Sequence, residues 1–139
     1  PSVSVDTSGS RKTVWLVDKK SGEKVKKIHS ASAESLSAQM SSNKNWVVVT
    51  ESAFSALQRI HLYKAGEDNT FRKVSRDSVD GPLWDQFATQ LDRQLIITSN
   101  KTSFEGWAQG GSAMKLKLAA LPRGGDWIEK SYTVSLAGL

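Results

Sequence analysis

Residues Asp80 to Asn100 read DGPLWDQFATQLDRQLIITSN and carry the strongest periodic signal in the chain. Leu83, Trp84, Phe87, Ala88, Leu91 and Leu95 recur at helical spacing on one face, with Asp85, Gln86, Thr89, Gln90, Asp92 and Arg93 on the other. Asp80 is placed to cap the N-terminus, Pro82 suits the first turn, and Asp85 complements the helix dipole. The spacing predicts a helix of about 13 residues, roughly 20 Å long. The period then changes. Leu95-Ile96-Ile97 is an apolar β-rich run closed by Thr98, Ser99 and Asn100, so a buried strand is expected directly after the helix.

Downstream, Lys101 to Ser112 (KTSFEGWAQGGS) combines Gly and polar residues with Phe104 and Trp107, and reads as a long loop that keeps aromatics. Met114, Leu116 and Leu118 then alternate with Lys115 and Lys117, and Ile128, Tyr132, Val134 and Leu136 continue an apolar face beyond the turn at Pro122 to Asp126. Upstream, Arg59 to Lys64 and Thr70 to Arg76 flank a Gly-containing turn, Trp46 to Thr50 is apolar on both faces and therefore central, and residues 51 to 57 follow neither period. Ala33, Leu36 and Met40 behind Ser-rich caps predict a second, short helix between Ser30 and Ser42. Thr13 to Asp18 and Glu23 to His29 form a hairpin about Lys19-Lys20-Ser21-Gly22, preceded by a Ser-rich arm at residues 1–10. The expected fold is α+β, in the order ββ-α-βββ-α-βββ, with three hairpins in a mostly antiparallel sheet and two helices on one side. Its length suits a single domain over residues 11–139.

The chain has no cysteine, which excludes disulfides and thiolate chemistry, and its two histidines do not make a usual structural zinc site. No apolar run approaches a membrane span, and the start lacks a signal-peptide pattern. With Pro1 as the residue left by initiator-Met removal, cytoplasmic synthesis without export is expected. Neither GxxxxGK nor GxGxxG occurs, so no nucleotide cofactor is implied. The acidic residues fall in turns and caps: Glu67 and Asp68 in a turn, Asp77, Asp80 and Asp85 about the helix start. His61 alternates with apolar residues as a packed or surface side chain does, and His29 sits among cations. A catalytic constellation is not visible, and the chain reads as a non-enzyme.

The charge is concentrated. Arg11, Lys12, Lys19, Lys20, Lys24, Lys26 and Lys27 stand against Asp18 and Glu23, so this segment holds the whole net charge of +5. Such a field attracts polyanions. With Trp15 as a stacking surface, these seven cations form a candidate site for RNA or single-stranded DNA. Trp15, Trp46 and Trp84 lie within apolar patterns as core aromatics do, and lysines on an edge strand also discourage unwanted sheet pairing.

The hairpin VWLVDKKSGEKV and its sequel, ending in Ser41-Ser42-Asn43, resembles over about 30 residues the N-terminal hairpin of the coat proteins of small RNA phages. The resemblance implies self-association through a sheet and RNA on its inner surface. That family finishes in helices, whereas this chain finishes in a hairpin, and no family binding residue carries over. Three functions follow in order of expectation. The first is a self-associating structural subunit, as in a virion or large assembly, with its basic hairpin facing nucleic acid or an acidic partner. The second is a free-standing binder of single-stranded nucleic acid, and the third a small enzyme whose site is dispersed in sequence. A homo-oligomer without membrane, metal or small-molecule cofactor is expected.

Overall fold

The computed structural model describes residues 1–54 and 57–139. Residues 55 and 56, within the stretch to which periodicity assigned no element, lie outside the description. The strands are β1 (Ser2–Ser8), β2 (Arg11–Val17), β3 (Lys24–Ser32), β4 (Ser35–Met40), β5 (Trp46–Phe54), β6 (Leu57–Ala65), β7 (Phe71–Lys73), β8 (Ile97–Ala108), β9 (Ala113–Pro122) and β10 (Ile128–Ser135). A helix α1 (Gly81–Ala88) lies between β7 and β8, and short 3-10 turns occupy Arg76–Ser78 and Gln109–Gly111. The expected α+β fold with two helices is therefore overturned: the chain is mostly β, with one α-helix among the described residues. No helix there is long and apolar enough to cross a membrane.

Each departure has a local cause. Between Ser30 and Ser42 the chain completes β3 and forms β4, where Leu36, Ala38 and Met40 turn inward and Ser35, Ser37 and Gln39 outward. Leu36 and Met40 satisfy a two-residue period as well as a helical one, Ala38 only the former, and the ladder from Met40↔Val47 to Ser35↔Ser52 selects the strand. The predicted 13-residue helix stops at Ala88, and the Asp92 side chain accepts the Gln94 amide at 2.9 Å, a local turn that competes with helix continuation. Leu95, Ile96 and Ile97 are exposed rather than a buried strand, because β6 reaches β8 only at Asn100 and Lys101. The supposed loop at 101–112 is mostly strand β8. A bulge between Phe104 and Gly106 shifts its parity, so that Phe104 and Trp107, three positions apart, both pack on the same core.

Strands β1-β2-β3 make a small antiparallel sheet. The large sheet runs β10-β9-β8-β6-β5-β4, with β7 also paired to β6. All its pairings are antiparallel except β6 with β8, through Leu57↔Asn100 and Gln58↔Lys101. The outer edge of β6 is thus divided, with β8 at one end and β7 at the other (Tyr63↔Lys73 to Ala65↔Phe71), leaving the middle of the strand without a ladder partner on that side among the described residues. Strand β5 is interior, next to the β4 edge rather than at the centre of the sheet, and its two faces feed separate cores. Trp46 and Val48 join Ile60, Leu62, Met114, Leu116, Leu118 and Phe87 of α1. Val47 and Val49 join Tyr63, Leu36 and Val14 beneath the small sheet. Gly111, at φ 94°, closes the turn before β9, where a Cβ would stand 2.8 Å from the Asn43 side chain.

Candidate functional site

Register sorts the small sheet into two faces. Val14 lies opposite Val5 and His29 and points inward, so Trp15, opposite Ser4 and Lys27, points outward. Bulges on β3 insert Ile28 and Val25 into the ladder, and Lys24 consequently stands opposite Val17 on the Trp15 face. Trp15 is half-buried, not a core residue, and the Lys24 ammonium lies 5.2 Å from its ring centroid while also pairing with Asp6. Lys26 and Lys27 are exposed on the same strand, as are Lys19 and Lys20 in the turn and Arg11 at the start of β2. Lys12 is half-buried and donates to the Ala33 carbonyl at 2.8 Å. The structure therefore gathers Trp15, Lys24 and Lys27. It places Arg11 and Lys12 at the opposite end of β2 from Lys19 and Lys20, about 20 Å away at 3.3 Å per residue.

Directly beneath this sheet lies a second grouping that sequence reasoning did not find. Alternation turns Val47, Val49 and Glu51 of β5 towards the small sheet, and the pairings Val49↔His61 and Val47↔Tyr63 bring those side chains to the same face. From above, β3 contributes His29. Its Nδ1 is 2.6 Å from the Tyr63 hydroxyl and its Nε2 is 3.1 Å from Glu51 Oε1. His61 Nε2 lies 3.4 Å from the same carboxylate oxygen without hydrogen-bond geometry, and it is shielded from solvent with no hydrogen-bond partner among the described residues. The two imidazole rings are 4.5 Å apart, centroid to centroid. No protein-family model, curated protein or solved structure matches this chain. The site must therefore be read from its own chemistry.

Burial pushes the His61 pKa down to about 4, with His29 and Lys73 acting in the same direction. Burial alone would raise the Glu51 carboxyl, but the hydrogen bond from His29 and the charges of His61, His29 and Arg59 outweigh it and hold the group below its ordinary value. Tyr63 is raised, first by burial and then by the Glu51 charge. The cluster at neutral pH thus holds an ionised Glu51 between the His29 ring and a neutral His61 imidazole, with a neutral phenol behind His29. Sequence reasoning considered His29 and His61 separately, 32 positions apart. The available signal was parity: Glu51, His61 and Tyr63 share one face if β5 and β6 form a hairpin.

The gap along β6 opens into a cavity of about 410 Å³ whose lining includes Arg59, His61, Lys73, Arg76, Asp80 and Thr102. Asp80 is buried and makes no side-chain cap to α1, correcting its expected role. Its carboxylate instead accepts from the Thr102 hydroxyl at 3.3 Å and pairs with Arg76 at 3.5 Å, while the Trp84 indole N–H donates to Thr102 Oγ1 at 2.9 Å.

Proposed function

We propose that the chain is a non-enzymatic, self-associating subunit that binds single-stranded nucleic acid on the outer face of its small sheet. One observation carries this reading: Trp15 lies on the solvent-facing side of the sheet with Lys24 and Lys27 on its face of the ladder and further cations at both ends of the hairpin. A base stacked on Trp15 takes the position now held by the Lys24 ammonium, freeing that cation for a phosphate. The hairpin turn and the Arg11 end extend the positive track along a strand direction. Self-association is supported by the outer edges of β4 and β10, which have no ladder partner among the described residues and are templates for pairing with a second copy, and by the exposed Leu95, Ile96 and Ile97.

The test is binding of an oligonucleotide without secondary structure as a function of salt. About three phosphate contacts give a slope of log affinity against log salt of roughly −2. Lys24→Glu with Lys27→Glu, both on the Trp15 face, should remove binding at moderate salt with little change in melting temperature, since both side chains are exposed. Trp15→Ala should weaken it by about 1 to 3 kcal/mol. Unchanged affinity in the double variant would eliminate the small sheet as the interface. Light scattering on the purified chain separates an assembly subunit from a free-standing binder: a large discrete mass supports the former, a monomer the latter. A small enzyme, third in the sequence-based order, is supported by one observation: His61 lines a cavity that also holds Arg59, Lys73 and Arg76, a setting suited to a small anionic substrate.

A further inference from the structure

We propose that His29, Glu51 and His61 bind one divalent first-row transition ion, zinc(II) by the character of the donors, and that this ion ties the small sheet to the large one. Two imidazoles and a carboxylate are a recurring three-ligand set for such ions, leaving the fourth position to water. The candidate ligand atoms of the three residues all lie within 4.8 Å of one another. Two ligands of a tetrahedral zinc, each at about 2.1 Å, are separated by roughly 3.4 Å. The distances from Glu51 Oε1 to His29 Nε2 and His61 Nε2, 3.1 and 3.4 Å, are close to that edge length.

Two further features fit a metal better than a hydrogen-bond network alone. First, His61 Nε2 is shielded from solvent and has no hydrogen-bond partner among the described residues, a costly state for a ring nitrogen that ligation would relieve. Second, Tyr63 sits on Nδ1 of His29, where a metal-binding histidine usually finds a group that fixes its orientation. Without the ion, His29 donates from Nε2 to Glu51 and accepts the Tyr63 O–H at Nδ1. When the ion binds Nε2, the imidazole proton moves to Nδ1 and is donated to the phenol oxygen. Arg59 and Lys73 are the opposing charges that act on this group. Glu51 is the anionic ligand that offsets them, so its removal should be decisive.

The ligands come from both sheets: His29 from β3, Glu51 and His61 from β5 and β6. An ion held there adds a ligand bridge between layers already joined by apolar packing and by the hydrogen bonds of His29 to Tyr63 and Glu51, and it does so beneath the face assigned above to nucleic acid. This inference stands whether or not that assignment does, because its readouts involve no nucleic acid.

The experiment is zinc titration of the full chain after treatment with a chelator. One equivalent should remain bound after gel filtration and raise the melting temperature in proportion to the logarithm of free zinc. Cobalt(II) should give the visible spectrum of a low-symmetry, four- or five-coordinate site. Glu51→Gln and His61→Asn should each abolish stoichiometric binding, whereas Tyr63→Phe should bind with affinity reduced about 10- to 100-fold. Should a ligand variant fail to fold, the unmodified protein still decides the matter. The chain has two histidines, so nitrogen NMR of their rings reports both ligands at once. Both ring signals should shift with one equivalent of zinc. Absence of retained zinc, or retained zinc with both ring signals unmoved, overturns the proposal.

Discussion

His61 illustrates how a single residue acquires properties that its neighbours in sequence do not give it. In chelator-treated protein its folded pKa lies near 4, against 6.5 for the unreacted group, so between those values the unfolded chain holds a proton that the folded chain refuses. Stability is therefore complete above about pH 6.5 and falls as the pH drops towards 4, where both states become protonated. Glu51, with its folded pKa below 4.5, adds a further loss in the same direction at the acidic end. Urea midpoints measured across this range should slope downward towards acid, and His61→Asn should flatten the slope. An identical slope in the variant would assign the acid sensitivity elsewhere. The seven hairpin cations and Trp15 were nameable from sequence because charge and local pattern reveal them directly. The meeting of His29 with His61 was not, since it depends on the β5–β6 register and on one sheet packing over another.

Among elements, α1 is the clearest case of a sequence signal correct in kind and wrong in extent. The apolar face of Leu83, Trp84 and Phe87 packs on the core, as its spacing requires, and the Trp84 and Phe87 rings are 5.7 Å apart. The remaining half of the expected helix is lost to turns about Asp92. Trp84 has a second attachment through its indole N–H to Thr102, which in turn holds buried Asp80. Trp84→Phe should keep much of the ring packing but leave Thr102 short of a donor, destabilising the fold by about 1 kcal/mol. Trp84→Ala should cost about 3 kcal/mol, the low end for an aromatic truncation because the side chain is only partly buried. Chemical denaturation of both variants measures the difference, and wild-type stability in Trp84→Ala would show that α1 contributes little to the core. The strands misread as helix or loop share another cause. Leu36 and Met40 fit both periods, and the bulge between Phe104 and Gly106 conceals an alternation that resumes beyond it.

The whole molecule is layered: small sheet, large sheet, then α1 over the opposite face. The burial of β5 on both faces was legible because Trp46-Val47-Val48-Val49 is apolar on both sides, although the strand lies beside the β4 edge rather than at the centre, and the terminal hairpin was legible from the alternation now seen in β9 and β10. The division into two sheets was not, because no composition change marks the passage from β3 to β4. That passage is made by Ala33 and Glu34 alone, the sole covalent link between the small sheet and everything after it. Under tension this arrangement is a weak coupling in series with a stronger one. Pulled by its ends in an optical trap, the chain should yield in two events, the first releasing about 30 residues, or roughly 100 Å of contour, as β1 to β3 detach from the layer below. A single rupture would mean that the two sheets bear load as one body. If the first event persists, the force at which it occurs measures how firmly the basic face is fastened to its support.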